Sequence, residues 1–163
     1  MKQTTKLSKF ITLPHIEDEG SLIFAEENNH LPINLKRIYY IYNVDDGANR
    51  GHHAHKKTKQ VLFCINGSIK IILDNGKERE EVVLTKPYQG IYLDKMMWHE
   101  MVEFKKDTIL LVAASEFYEE SDYIRNYDTF LQIANSVKVN QFSQIQVRFN
   151  QLFTYVSLKL NFK

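Results

Sequence analysis

Cysteine is almost absent from this chain, and that scarcity excludes a fold held by disulfides. Cys64 is the only cysteine among the 163 residues, so no internal disulfide can form. It lies within the apolar run 61–65, where a thiol behaves as a small core side chain. A lone core cysteine indicates a protein of a reducing compartment.

Long apolar runs and a large excess of one charge are also absent. No segment approaches the roughly 18 apolar residues of a membrane span, and residues 1–10 contain no apolar run of signal-peptide length. The net charge is +1, which gives no field that would attract nucleic acid, and no nucleic-acid-binding motif is present. We therefore expect a cytoplasmic protein without a membrane span or a nucleic-acid partner.

Short strand-like segments separated by turn signals occupy most of the chain. Asp45–Asn49 is a loop signal, Asp74–Gly76 predicts a hairpin turn, and the polar stretch 15–19 is also predicted to be a turn. The spacing is typical of an all-β, antiparallel jelly-roll barrel. Besides the histidine-bearing segment described below, the predicted strands are 7–13, 20–27, 35–44, 61–65, 68–73, 78–84, 91–93, 98–104 and 108–115.

The pattern changes after residue 115. Apolar residues recur at helical spacing over 121–135, behind Ser121 or Asp122 as the cap, which predicts one short C-terminal helix. Residues 1–134 are therefore predicted to form one domain. Residues 135–163 form a basic extension with four basic and no acidic residues. Its apolar residues fit either a helix or a strand, and its role is either packing and self-association or contact with a membrane surface.

Two histidines give the strongest indication of function. His53 and His55 alternate across Ala54, and a strand points residues i and i+2 to the same face. Both imidazoles titrate near neutral pH. An isolated pair of this kind can also lie incidentally on a surface strand, but here Gln60 and a buried apolar strand follow. The pair is therefore predicted at the mouth of a β core.

A second strand carries a basic and an aromatic residue on one face. Arg37, Tyr39 and Ile41 alternate with Ile38 and Tyr40. From this pattern alone, cross-strand packing with a solvated arginine is favoured over a binding role.

The spacing of His53, His55, Gln60 and Gly67 resembles the first motif of the cupin superfamily, a group of jelly-roll proteins. Residues of that motif commonly hold a metal ion, and the position of Gln60 is usually glutamate. A neutral carboxamide is a poorer metal ligand than a carboxylate, which argues against a metal. We predict neither a metal site nor another cofactor.

More of the chain, roughly residues 7–134, resembles the dTDP-sugar 3,4-ketoisomerases, which are cupin-fold enzymes of deoxysugar biosynthesis. The histidine motif and the motif 122–125 are specific when they occur together at this separation. The matching residues are Gly20-Ser21-Leu22, Glu26-Glu27, Lys36-Arg37-Ile38-Tyr39-Tyr40, Arg50-Gly51, His53-Ala54-His55-Lys56, Gln60, Asn66-Gly67-Ser68, Trp98-His99-Glu100, Asp122-Tyr123-Ile124-Arg125 and Tyr127.

The resemblance implies conversion of dTDP-4-keto-6-deoxyglucose to its 3-keto isomer, which an aminotransferase can convert to a 3-amino-3,6-dideoxy sugar. Removal of the C3 hydrogen gives an enediol, and a proton returns at C4. The resemblance assigns His53 as the base and His55 as the acid, and each positioned proton transfer contributes about 10² to 10⁴ in rate.

The resemblance also implies a set of substrate-binding residues. Arg37 and Arg50 are candidates for the diphosphate, because an arginine fork matches its oxygens. Tyr39 is a candidate for the sugar, Trp98 for a wall of the site and His99 for the border of the sugar ring.

Glu19 departs from the family pattern, which usually has arginine or another large residue at that position. In the family this position, together with that of His99, influences which face of C4 is protonated. With His99 present, we expect the axial, galacto-like C4 hydroxyl. A homodimer is also expected, because these short N-terminal strands leave sheet edges that need cover, and exchange of the strands between subunits would provide it.

Three other functions remain compatible with the sequence. A metal-dependent cupin enzyme would use His53, His55 and His99, with Gln60 as a weak ligand. A dTDP-sugar 3,5-epimerase would move protons at C3 and C5 without moving the carbonyl. A non-catalytic sugar-nucleotide-binding module would have structural histidines.

Overall fold

The fold is a sandwich of two five-stranded antiparallel sheets, and the computed structural model describes residues 7–136. Residues 1–6 and most of the predicted basic extension lie outside the described residues. The strands are β1 (Lys9–Thr12), β2 (His15–Glu17), β3 (Ser21–Ile23), β4 (Arg37–Ile41), β5 (Arg50–His55), β6 (Gln60–Asn66), β7 (Ile69–Asp74), β8 (Arg79–Leu84), β9 (Gln89–Leu93), β10 (Trp98–Val102), β11 (Ile109–Ala114) and β12 (Tyr123–Ile124).

The chain crosses between the two sheets at most of its connections. The first sheet has the order β1-β9-β6-β11-β4 and the second has the order β12-β5-β10-β7-β8. From β4 to β12, only the β7–β8 hairpin joins consecutive strands of one sheet. This alternation is the jelly-roll arrangement, and it confirms the fold class predicted from the sequence.

The main core fills the space between the inner faces of the two sheets. Leu62 and Cys64 of β6 point into it and meet Leu73 from the second sheet. The alternate residues of β6, Val61 and Phe63, face outward into a second cluster. Because both faces of β6 are covered, its sequence is a continuous apolar run rather than an alternating one. The second cluster is completed by Leu13, Leu31, Ile33 and Ala113.

The segment 15–19, predicted to be a turn, is largely a strand, so that prediction was wrong. β2 pairs with β3 in a separate two-stranded sheet, in the register His15 to Ile23. The turn is confined to the residues between them, where Asp18 Oδ1 accepts a hydrogen bond from the Gly20 amide at 3.1 Å. Backbone pairing in this hairpin overrides the low strand propensity of its polar residues.

The predicted helix begins later than the sequence pattern suggested. Residues 120–122 form a 3₁₀ turn and β12 follows; the helix α1 runs from residue 127 through 136, the last described residue. Its cap is Asn126, whose Oδ1 accepts a hydrogen bond from the Thr129 amide at 2.8 Å. The predicted caps Ser121 and Asp122 were therefore wrong.

No helix among residues 7–136 is long and apolar enough to cross a membrane. Cys64 is buried in the main core, and burial raises the pKa of its thiol to about 11. A thiol in this state is chemically inert and serves packing.

Candidate active site

Three imidazoles meet on the inner face of the second sheet. His53 and His55 come from β5, and His99 of β10 lies directly opposite His53 in the strand register. The ring centroids of His53 and His99 are 4.5 Å apart, and those of His53 and His55 are 4.9 Å apart. The three side chains, called here the histidine cluster, are buried, with exposures of 9%, 3% and 2%. The structure therefore brings His99 to the predicted histidine pair.

An irregularity in β5 determines how this strand is aligned with its neighbour β10. Gly51 and His52 both have positive φ, of 84° and 54°, and the pairing with β10 shifts between His99 and Glu100. The extra residue places Arg50 opposite Met101, on the same face as His53. A Cβ on Gly51 would lie 2.8 Å from the backbone oxygen of His99, so only glycine fits there.

Each imidazole is oriented by an oxygen at its Nδ1. Nδ1 of His53 donates to the Gly51 carbonyl at 2.9 Å, and Nδ1 of His99 donates to the Met97 carbonyl at 3.3 Å. Nδ1 of His55 donates to Asp122 Oδ2 at 3.0 Å. Carbonyl and carboxylate oxygens only accept, so the proton of each neutral ring lies on Nδ1 and Nε2 is unprotonated.

Burial keeps these rings uncharged. It lowers the pKa of His53 to about 4, against the opposing hydrogen bond to Gly51. Burial and the neighbouring His53 and His55 lower the pKa of His99 well below its usual range. Burial also lowers the pKa of His55, although the hydrogen bond and charge of Asp122 oppose this effect. All three rings are neutral at pH 7 and can accept a proton.

A polar chain leads from the histidine cluster to β4. Nε2 of Gln60 donates to Tyr39 Oη at 2.9 Å and lies 3.3 Å from His55 Nε2. Burial raises the pKa of Tyr39 to about 12, so the phenol keeps its proton. Arg37 stacks 5.2 Å from the Tyr39 ring, and its Nε is buried without a hydrogen-bond partner among the described residues. A buried guanidinium nitrogen with a free donor is suited to an anion.

Of the three other predicted site residues, one lies on the face of the cluster and two do not. Arg50 is exposed at the start of β5, on the same face as His53. Trp98 faces away from the cluster because neighbouring strand residues alternate, and its ring packs 5.7 Å from that of Phe130 on α1. Among the described residues, Trp98 therefore packs against the helix, on the other face of β10 from the cluster. Glu19 is exposed in the β2–β3 turn and has no hydrogen bond or ion pair with the cluster among residues 7–136.

The segment 118–125 also borders the histidine cluster. This position was not predicted from the sequence. The Tyr123 ring lies 4.9 Å from His53 and 4.4 Å from His55, and Arg125 stacks 4.5 Å from Tyr123. Arg125 Nε also donates to Glu120 at 2.8 Å. The motif 122–125 was the signal that could have identified this wall, but helical periodicity had assigned it to the start of a helix.

The cluster also has the ligand type of a transition-metal site. Its three ligand atoms lie within 4.8 Å of one another, and each imidazole is anchored through its other nitrogen, as metal-ligating histidines usually are. Three neutral imidazoles can hold a divalent ion such as zinc. Gln60 adds no carboxylate to this set. A metal would use the same lone pairs that accept protons, so metal binding and base catalysis are alternatives here.

Comparison with known proteins gives the family. The family profile FdtA (WxcM-like, C-terminal) matches residues 6–135. A TDP-4-oxo-6-deoxy-α-D-glucose-3,4-oxoisomerase of Aneurinibacillus thermoaerophilus is 47% identical over 115 residues, which are 71% of this chain and 83% of the relative.

Two solved structures agree with this assignment. The WlaRB TDP-quinovose 3,4-ketoisomerase of Campylobacter jejuni is 46% identical, with a TM-score of 0.74, over 78% of this chain and 99% of that one. A histidine-to-asparagine mutant of the 3,4-ketoisomerase QdtA of Thermoanaerobacterium thermosaccharolyticum, in complex with TDP-4-keto-6-deoxyglucose, is 40% identical, with a TM-score of 0.79, over 82% and 97%. Since the fold, the histidine cluster and the relatives agree, this chain belongs to the FdtA family of sugar-nucleotide 3,4-ketoisomerases.

Proposed function

We propose that the protein converts dTDP-4-keto-6-deoxyglucose to a dTDP-3-keto-6-deoxyhexose. The observation that carries this proposal is the pair of neutral imidazoles, His53 and His55, held on one strand face with Nε2 of each ring unprotonated. The named activities of the relatives support this reaction over the metal-dependent, epimerase and binding-module alternatives. The C3 ketone of the product is the group that an aminotransferase would need to form a 3-amino-3,6-dideoxyhexose.

The reaction requires only the movement of protons. The C4 carbonyl acidifies the hydrogen on C3, and Nε2 of His53 removes that hydrogen to give an enediolate. His55 accepts the C3 hydroxyl proton at Nε2 and, as an imidazolium, donates it to the C4 oxygen. A proton returns from His53 to C4, so both imidazoles end neutral. The substrate is neither oxidised nor reduced overall, so the reaction needs no redox partner.

The surrounding residues provide substrate-binding groups. Arg37 offers a buried donor and Arg50 an exposed one, and together they would bind the diphosphate. Tyr39 would donate its phenolic proton to a sugar oxygen, since its pKa of about 12 keeps the proton in place. His99 would lie beside the ring through its contact with His53.

The active form is proposed to be a homodimer that covers the outer face of the first sheet. Ile38 and Tyr40 on this face are 51% and 60% exposed. Ile38 also lines an apolar groove of about 370 Å³, together with Leu35, Phe63 and other residues. Such a patch of large exposed side chains usually marks an interface.

The β2–β3 hairpin supports a second copy as the occupant. It pairs with neither five-stranded sheet among the described residues, and Ile16 and Leu22 on it are exposed. A two-stranded hairpin is only marginally stable alone. Exchange of N-terminal strands would cover these residues and would carry Glu19 towards the partner's site. A mass near 38 kDa by light scattering would support the dimer, about twice the 19.2 kDa of one chain. A monomeric mass with full activity would refute it.

The cytoplasm is the proposed location, since the one cysteine of the chain is a buried, unreactive thiol. Cell fractionation tests this directly, and recovery of the protein outside the cytoplasmic fraction would contradict it.

The test of the function is NMR of dTDP-4-keto-6-deoxyglucose incubated with the protein. The ¹³C carbonyl signal is expected to move from C4 to C3. His52→Asn is the matched control for His53→Asn, because His52 is an exposed neighbour whose positive φ asparagine tolerates. A bound but unchanged ketosugar would instead support a binding module, and exchange at C5 with the carbonyl still at C4 would indicate an epimerase.

A further inference from the structure

A buried carboxylate distinguishes His55 from the other two members of the histidine cluster. Asp122 Oδ2 accepts from His55 Nδ1 at 3.0 Å, and the two side chains are 5% and 3% exposed. His53 and His99 instead donate to neutral backbone carbonyls. Among the described residues, His55 is thus the one cluster member that is paired with a charged partner.

The local fold fixes Asp122 in this position independently of the histidine. β12 follows Asp122 directly and pairs with β5, with Tyr123 opposite His55. The Asp122 carbonyl accepts from the Lys56 amide at 2.9 Å. The Asp122 carboxylate also accepts from the Lys57 amide at 2.7 Å and from the Thr58 hydroxyl at 2.5 Å.

These hydrogen bonds keep the carboxylate ionised. Burial raises the pKa of Asp122, but the bonds from Thr58, Lys57 and His55 outweigh burial and lower it overall. An ionised carboxylate accepts hydrogen bonds and donates none, so His55 must carry its proton on Nδ1. On the opposite side of the ring, the Gln60 amide nitrogen lies 3.3 Å from Nε2, which is consistent with a lone pair there.

We propose that Asp122 is a positioning residue for His55, which fixes the Nδ1–H tautomer and stabilises the imidazolium that His55 forms during the reaction. This inference rests on the proposed function. In the proposed reaction, His55 receives the C3 hydroxyl proton at Nε2 before it donates that proton to the C4 oxygen. The imidazolium carries N–H bonds on both nitrogens for that interval, and the one on Nδ1 points at the Asp122 carboxylate. A His–carboxylate pair is a known means of supporting this charge.

The first test is spectroscopic and uses the free protein. In ¹⁵N-histidine-labelled wild type, the signals absent from His55→Asn identify His55. Its Nδ1 is expected to show the shift of a protonated nitrogen and its Nε2 that of an unprotonated nitrogen at pH 7. A protonated Nε2, or an even mixture of tautomers, would overturn the proposal whether or not the variants below fold.

The second test compares Asp122→Asn with the control Thr58→Val. Asparagine removes the charge and can present an N–H to His55, whereas valine removes a hydrogen bond to the same carboxylate and leaves its charge. Asp122→Asn is expected to lower kcat about 10² to 10⁴-fold with KM changed less than about threefold. Thr58→Val is expected to keep kcat within about fivefold. Equal losses in both variants would show that Asp122 is only structural, and a folded Asp122→Asn with wild-type kcat would also refute the proposal.

The pH at which His55 titrates gives a third measurement. Asp122→Asn is expected to move this titration to lower pH, because the opposing carboxylate charge is lost. Absence of a shift would contradict the proposal. Wild-type isomerisation is assayed first, so a failure of the proposed function is separated from a failure of this assignment.

The other titratable or charged groups around His55 are Arg37, Tyr39, His53, His99, Tyr123 and Arg125.

Discussion

The buried His53 ring makes the stability of this protein sensitive to acid. Its pKa falls from 6.5 to about 4 in the folded protein because burial disfavours the charged imidazole. Between these two values the unfolded chain binds a proton that the folded protein does not. The free energy of unfolding is therefore at its full value above pH 6.5 and decreases as the pH falls towards 4.

The size of this effect follows from the shift. At about 1.4 kcal/mol per pKa unit, His53 accounts for about 3 kcal/mol across the whole window. No large discount for solvent applies, since the residue is only 9% exposed. His55 and His99 add to the loss in the same direction, because burial lowers the pKa of both.

Urea unfolding between about pH 7.5 and about pH 4.5 measures how much His53 contributes to the pH dependence of stability. The proteins compared are wild type, His53→Asn and His52→Asn. Over this range, the free energy of unfolding of His53→Asn is expected to decrease by about 2 to 3 kcal/mol less than that of wild type. His52→Asn is the control for a histidine-to-asparagine change at an exposed neighbour on the same strand. Parallel curves for wild type and His53→Asn would refute the argument that His53 is buried and neutral.

Three further predictions concern the reaction. His53→Asn is expected to keep the fold and to have a kcat about 10²- to 10⁴-fold lower than wild type. His55→Asn is also expected to be impaired, and wild-type rates in both variants would refute the mechanism. Protein treated with EDTA and shown metal-free by elemental analysis is expected to retain full activity, whereas activity restored only by stoichiometric iron or manganese would indicate a metal enzyme. The C4 hydroxyl of the product is expected to be axial, as the resemblance implies for a chain with His99, and a large H4–H5 coupling would show the equatorial product instead.

The jelly roll could be predicted because short-range signals determine most of its strands. The apolar run of β6 and the turn residues around β7 and β8 locate those strands from local sequence alone. β2 could not be predicted, because its pairing with β3 stabilises a polar segment with weak strand propensity.

The site was predictable only where strand alternation applies directly. The two histidines of β5 share a face as expected, whereas the direction of Trp98 depends on which side of β10 faces the core. The partnership of Asp122 with His55 joins residues 67 positions apart, so it is set by the pairing of β12 with β5 and not by any local pattern. The β5 bulge that places Arg50 on the His53 face depends in the same way on tertiary contacts.

The most direct test of proton transfer through the histidine cluster is the same reaction run in D₂O and followed by NMR. If His53 removes the C3 hydrogen and exchanges it with solvent, the product is expected to have its carbonyl at C3 and deuterium at C4. A 3-keto product with only protium at C4 would contradict exchange with solvent at His53, because the C3 hydrogen would then reach C4 either by return of the same proton from His53 or by direct migration. A carbonyl that stays at C4 would contradict the proposed function itself.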